Sequence, residues 1–375
     1  MKEFVKPVKS IENLQPYKLV SHKAWELTYK KDHHNAKKVI KLDWNESTHL
    51  PRHILKEVLR YIINHQINLN WYPDTDNKIL KEKIAKYISV SVDNIQYFNG
   101  SDSALEYICR AYIDNKDKVI IVSPTYDNFR IYVEACGGVI KRYYNSNPFT
   151  KDIDKLAKFI KEIKPKMLYL VNPNNPTGVL YDKEEIEFLI KRFPRTLFVI
   201  DEAYYEFCGR TVVELVNNFS NIIITRSFTK AFGLGAFRLG YVIADKNIID
   251  VLNKIRVGKG INTFAQIAGI IALDNKEYME KYVEEVNKSK EYLNKKLKEL
   301  GVQVIITPAN FILVRCKKPS YIVAELEKHN VFVRDLSHLP SLENYIRITV
   351  GDLSTMKKFF NIFKKVYEQN ESCFI

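Results

Sequence analysis

The chain predicts an α/β fold: a large domain on a mainly parallel mixed sheet, followed by a smaller α+β C-terminal domain. Three observations predict it. Apolar runs of strand length alternate with helical stretches through the middle of the chain, several runs stop at a polar residue, and helical spacing dominates after Ile261. Residues 1–44 read as an N-terminal arm packing on the small domain, with the polar Tyr29–His34 stretch as its loop. His33 and His34 sit among charges there and read as an exposed turn rather than as ligands. From Pro51 the apolar positions Ile54, Leu55, Val58, Leu59 and Ile62 recur at helical spacing. Six strands follow, Lys118–Ser123, Val139–Tyr144, Lys166–Val171, Leu197–Ile200, Ile222–Arg226 and Leu239–Ala244, separated mostly by helical stretches. Alternation of this kind argues for right-handed crossovers and a parallel sheet. The large domain is placed at 45–265 and the small one at 266–375, with no internal repeat or low-complexity linker.

Composition bounds the function. The chain has 375 residues, enough for two domains with substantial cores, and its 46% hydrophobic and 27% charged content is that of a soluble globular protein. Its five cysteines (Cys109, Cys136, Cys208, Cys316, Cys373) show no metal-like spacing, so no metal site is expected. Their odd number, with no export signal, suits the cytoplasm. No apolar stretch approaches the roughly 20 residues of a membrane helix, so no membrane partner is expected. The net charge of +14 comes from lysines spread over the helices, such as Lys288, Lys290, Lys295, Lys296 and Lys298. That pattern is a solvated face and not a nucleic-acid footprint. A positive field still favours anionic small molecules.

Three strand ends carry the chemistry. Lys230 lies just beyond the Asn221–Arg226 run, flanked by the hydroxyls of Ser227 and Thr229 and followed by Arg238. A lysine held still and stripped of water can form an imine, and hydroxyls with a second cation suit a phosphate. Asp201 closes the apolar run Thr196–Ile200, a buried position where a carboxylate needs a partner. A protonated pyridine nitrogen is such a partner. Asn175 lies in the Asn-Pro-Asn-Asn-Pro-Thr-Gly turn (172–178) that ends the preceding strand, aimed by its prolines. Each motif alone reads more readily as a turn or a helix start than as chemistry. In an open α/β sheet, however, ligands bind outside the carboxyl ends of the strands, so the three converge on one crevice.

With these residues the chain resembles the fold-type-I pyridoxal phosphate (PLP) enzymes of the class I/II aminotransferase family, nearest the histidinol-phosphate aminotransferase-like branch, over roughly Leu42 to Val350. The resemblance implies the aspartate aminotransferase-like PLP-dependent transferase fold, PLP as cofactor, and a homodimer with shared active sites. Lys230 resembles the Schiff-base lysine and Asp201 the partner of the pyridine nitrogen, while Asn175 and Tyr204 resemble the pair on the ring hydroxyl. Ser227, Thr229 and Arg238 match phosphate ligands. Ser101 and Asp102 match the turn into a helix that receives the same phosphate. Tyr126 matches the aromatic stacked on the ring, and Tyr72 the tyrosine that crosses to the partner subunit's phosphate. Asn45 matches the substrate-side segment, Arg347 the clamp on the substrate carboxylate, and Arg334 a residue near a substrate phosphate. For Arg334 a plain surface pair with Asp335 is the competing reading.

The reaction that the resemblance implies is amino transfer from an amino acid such as glutamate to a small, phosphorylated keto compound. Decarboxylation of a phosphorylated amino acid, such as phosphothreonine or phosphoserine, uses the same motifs and is the alternative. A regulator or binding protein built on the same fold would lack the lysine or carry a fused DNA-binding segment; Lys230 is present, and the arm before Leu42 shows no helix-turn-helix pattern. Trp44 and Ser47-Thr48-His49 depart from the histidinol-phosphate pattern, as does Asp127–Arg130, so histidine biosynthesis is one candidate beside a cell-surface sugar or a phosphorylated amine.

Overall fold

The computed structural model describes residues 5–17, 23–28 and 39–375. The polar stretch containing His33 and His34 lies outside the described residues, apart from what the sequence says of it.

Among the described residues, twelve strands form two sheets. In chain order they are β1 (Ile40–Leu42), β2 (Ile95–Phe98), β3 (Lys118–Ser123), β4 (Val139–Tyr144), β5 (Met167–Val171), β6 (Leu197–Asp201), β7 (Ile222–Ser227), β8 (Gly240–Ala244), β9 (Val304–Ile306), β10 (Phe311–Arg315), β11 (Val331–Asp335) and β12 (Tyr345–Thr349). The larger sheet runs β2-β8-β7-β6-β5-β3-β4 and the smaller β1-β11-β12-β10-β9. In the larger one β4, β3, β5, β6 and β7 are parallel, in keeping with the helical crossovers and with the buried, mostly apolar runs of the central strands β5, β6 and β7. The strand β8 is antiparallel to β7, and β2 to β8. The reason is the connection: the stretch between β7 and β8 contains no crossover helix, only a short 3₁₀ turn at Gly235–Phe237, so the chain returns beside itself. The four-residue β2 escaped the sequence reading because Ile-Gln-Tyr-Phe is too short to show a period.

The strands β5, β6 and β7 are buried along their length, and their ends hold the chemistry. Asp201 is the last residue of β6, in register with Val171 of β5 and Thr225 of β7. Behind these ends Glu202 and Arg226 form a fully buried ion pair at 2.8 Å, with the Tyr205 ring 3.6 Å from the guanidinium. The neighbouring charge and hydrogen bonds from Thr211 and the Val212 N–H offset the cost of desolvating Glu202. The pair ties β6 to β7 and so fixes Asp201 relative to Ser227.

The smaller sheet joins distant parts of the chain. Ile40–Leu42 pair in parallel with Val331–Val333, while β11, β12, β10 and β9 are antiparallel. The helix Arg52–Asn64 buries Ile54, Val58 and Ile62 but leaves Leu55 and Leu59 exposed, so its apolar face is wider than the fold beneath covers.

Candidate active site

The site forms where the ends of β5, β6 and β7 meet β12 and the segment after β1. Lys230 is half-buried; its Nζ donates to the Trp44 carbonyl at 2.9 Å and lies 6.0 Å from the Tyr204 ring. Burial pushes its ammonium down to about 8, against the Glu46 carboxylate, which favours the charged form. Asp201 is buried, and burial raises its carboxyl to about 6. The Tyr169 hydroxyl donates to one oxygen at 2.9 Å and the Ala203 N–H to the other at 3.2 Å. Neither donor carries a charge.

Arg347 on β12 completes the group. Its guanidinium donates to the Asn175 side-chain oxygen and to the Asp43 carbonyl, while its Nε is buried without a partner. Burial lowers its ordinarily very high value to about 10. The Tyr204 hydroxyl accepts from Asn45 Nδ2 at 3.0 Å, which leaves its own proton to donate elsewhere, and burial holds it up at about 12. Lys230, Tyr204, Asn45, Asn175 and Arg347 thus form one cluster, with Asp201 at the adjoining strand end.

A second group lies at the N-terminus of the helix Gly100–Tyr112, whose N-cap residue Asn99 makes no side-chain capping bond. The first N–H groups there face outward with the positive end of the helix dipole. Arg238, in a left-handed conformation at φ 59°, packs so close that a Cβ on Gly100 would stand 2.6 Å from its Nη2. A Cβ on Gly240 would stand 2.5 Å from the Ser101 nitrogen. Ser227 Oγ accepts from the Thr229 N–H at 3.1 Å. Asp102 joins this group to the ring-side residues: it accepts from the Tyr126 hydroxyl at 2.9 Å, and its carboxylate acts electrostatically on both Lys230 and Asp201. The Asn174 amide bonds the Pro124 carbonyl and accepts from Thr125, holding the Tyr126 turn against the Asn175 turn.

Arg334 and Asp335 do not pair with each other. Neighbours on a strand face opposite sides, so Asp335 bonds Ser320 whereas Arg334 reaches the Tyr17 hydroxyl at 3.3 Å. Arg334 stands directly opposite Arg347 in the β11–β12 register. Tyr72 stays out of the cluster within one chain: it is 77% exposed, with Lys259 Nζ 4.2 Å from its ring centre. Tyr169, the Trp44 carbonyl and Tyr17 were not read from the sequence. Tyr169 lies mid-strand and Trp44 acts through its backbone, so neither carried a signal; Tyr17 sits in the arm, away from every motif.

Sheet order, the helix N-terminus facing strand ends, and a desolvated lysine and a buried carboxylate at adjoining strand ends define a cofactor-dependent enzyme of the open α/β class. The chain belongs to the class I and II aminotransferase family, whose model matches residues 37–363. It is 39% identical to a dihydroxyacetone phosphate transaminase of Campylobacter jejuni, over 93% of this chain and 94% of that one. It is 33% identical to a histidinol-phosphate aminotransferase of Thermoanaerobacter pseudethanolicus, over 95% and 99%. A solved histidinol-phosphate aminotransferase from Sinorhizobium meliloti, in complex with pyridoxal-5'-phosphate, shares the fold at TM-score 0.87 and 24% identity, over 98% and 99% of the two chains. The protein is an aminotransferase with the aspartate aminotransferase-like fold, of a PLP-dependent family.

The residues present fit that cofactor. A buried carboxylate without a cationic partner suits a pyridinium, an amine near 8 suits an aldehyde, and the glycine-lined helix terminus beside Arg238 suits a phosphate. No cluster of potential metal ligands occurs among the described residues, and no helix there is long and apolar enough to cross a membrane.

Proposed function

We propose that this aminotransferase moves an amino group from an amino acid, glutamate first, to a small phosphorylated keto compound, with dihydroxyacetone phosphate the first to try. The observation that carries the reading is the pair of cations Arg347 and Arg334, opposite each other on antiparallel strands beside the Lys230 cluster. Opposed residues share a sheet face. A donor carboxylate and then an acceptor phosphate can use that end in turn, and the unpaired Arg347 Nε leaves a donor for either. The 39% identity to the dihydroxyacetone phosphate transaminase supports a three-carbon acceptor over an imidazole-bearing one.

Each residue has a task in this reading. Pyridoxal phosphate, when bound, supplies an electron sink for the substrate Cα. Lys230 would hold the cofactor through its amine, and that amine, near 8, is well poised to move a proton at the substrate Cα near neutral pH. Asp201 would keep the pyridine nitrogen protonated, and Asn175 with the free proton of Tyr204 would bond the ring hydroxyl. Tyr126 would stack on the ring, and Ser101, Asp102, Ser227, Thr229 and Arg238 would hold the phosphate, with Asp102 3.7 Å from the Arg238 guanidinium. Asn45 orients Tyr204, and Arg347 fixes the donor carboxylate.

The same reading makes the unit a cytoplasmic homodimer in which Tyr72 enters the partner's site. The exposed patch of Leu55, Leu59, Ile63, Leu69, Trp71 and Tyr72 supports the dimer, and five free cysteines suit a reducing compartment. It keeps the divisions 45–265 and 266–375, which separate the larger sheet from β9–β12. The test is a pair of half-reactions. Glutamate should bleach the yellow enzyme with release of 2-oxoglutarate, and dihydroxyacetone phosphate should restore the colour at least about 10-fold faster than imidazole acetol phosphate. Restoration by the imidazole compound alone would overturn the acceptor. Carbon dioxide from phosphothreonine, without any bleaching by glutamate, would replace transfer with decarboxylation.

A further inference from the structure

Three consecutive residues after β1 each touch the site through one atom. The Asp43 carbonyl accepts from Arg347, the Trp44 carbonyl from Lys230 at 2.9 Å, and Asn45 Nδ2 donates to Tyr204 at 3.0 Å. Two of the three contacts use backbone carbonyls, so the path of the segment, not its side chains, sets them. On its far side the segment is held at Asn45, which sits at φ 55°. The Asn45 N–H donates to Thr349 Oγ1 at 3.0 Å and its carbonyl accepts from Asn310 at 3.1 Å.

On the near side the hold is Lys41. Its ammonium lies 4.6 Å and 4.4 Å from the ring centres of Trp25 and Trp44, which are themselves 4.8 Å apart. The same nitrogen is 3.0 Å from Asp43 Oδ1 and pairs with Glu46, so it spans the segment from 43 to 46. Exposed ion pairs contribute little. Here the Lys41 side chain is only 20% exposed and Asp43 2%, with two indole faces against the cation.

We propose that Lys41 is a positioning residue: it clasps residues 43–46 over the site and so sets the Trp44 carbonyl on the Lys230 amine. The inference rests on the reading of Lys230 as the amine that takes the cofactor. The charges acting on Lys230 come from each element around it. Glu46 after β1 and Asp102 at the helix N-terminus favour the ammonium, whereas Lys41 on β1 and Arg347 on β12 oppose it, and the Tyr204 ring lies beside it. Replacing Lys41 by a neutral residue removes an opposing cation and frees Glu46, two changes of the same sign.

The test measures acetic anhydride labelling of Lys230 against pH, by mass spectrometry, on the full chain freed of cofactor. Lys41→Met should move the labelling midpoint up by about half a unit or more, and Glu46→Gln should move it down. Lys41→Arg, which keeps a positive charge over the two indole faces, should move the midpoint less than Lys41→Met does. A residue that merely stabilised the fold would lower Tm in Lys41→Met with the midpoint unmoved. An unmoved midpoint in Lys41→Met or Glu46→Gln, or an Arg shift as large as the Met shift, overturns the clasp; if Lys41→Met does not fold, Glu46→Gln decides alone. Added pyridoxal phosphate should suppress labelling of Lys230 in the wild type. Failure of that suppression sinks the Lys230 reading, whereas an unmoved midpoint with suppression intact sinks the clasp only.

Discussion

Asp201 shows at the scale of one residue how the site trades stability for chemistry. Its carboxyl stands at about 6 against an ordinary 3.8, because burial penalises the charge and no cation offsets it. The folded chain therefore holds this proton more tightly than the unfolded chain does. The resulting destabilisation is absent below about 4, grows through the interval, and is complete above about 6. In cofactor-free protein at pH 7.5, Asp201→Asn should raise unfolding stability by roughly 2–3 kcal/mol, a gain that vanishes near pH 4. In the loaded enzyme the same change should slow amino transfer by roughly 10²–10³-fold. Denaturant unfolding across pH checks the first part, and a destabilised Asn variant at pH 7.5 would contradict it. Asn175, Asp201 and Lys230 were legible in the sequence because each polar group follows an apolar run, where burial makes it conspicuous. Tyr169, which donates to Asp201 from within β5, was not, because a tyrosine in a strand is equally a core residue.

Among the elements, β8 matters most for the phosphate end. Its first residue, Gly240, faces the start of the helix Gly100–Tyr112, and a Cβ there would lie 2.5 Å from the Ser101 nitrogen and 2.7 Å from the Gly100 carbonyl carbon. Both are backbone atoms that cannot rotate away. Gly240→Ala should therefore cost about 1–3 kcal/mol of stability and weaken pyridoxal phosphate binding by at least about 10-fold. Gly260→Ala, where a Cβ meets nothing within 4 Å, is the control and should leave both unchanged. Cofactor titration of the two variants decides; equal affinity would remove β8 from the phosphate cradle. The sequence showed the run at 239–244 but not its direction. Direction follows from the connection, and the glycine-rich stretch 233–240 gave no periodic signal to tell a return from a crossover.

At the scale of the whole molecule, the helix Arg52–Asn64 and the loop after it leave Leu55, Leu59, Ile63, Leu69, Trp71 and Tyr72 uncovered. Helical spacing alone made Leu55 and Leu59 look like core, and only the fold separates the buried side of that helix from the uncovered one. If two copies cover this patch and Tyr72 serves the partner's site, defects in two variants should complement. Lys230→Ala and Tyr72→Ala, each impaired alone, should recover about a quarter of wild-type activity after mixing and exchange, because half the dimers are mixed and each holds one intact site. No recovery, with exchange demonstrated, would place Tyr72 in its own chain's site.

Central to the proposed chemistry is the Lys230 amine, which the fold desolvates in part, sets on the Trp44 carbonyl and places near the Tyr204 ring and the charge of Arg347. Borohydride reduction of the yellow enzyme, followed by peptide mass spectrometry, tests it most directly. The account expects the cofactor's mass on the peptide carrying Lys230, with no fixed cofactor and no yellow band in Lys230→Ala. Cofactor found on another lysine, or a yellow band that survives in Lys230→Ala, would contradict it.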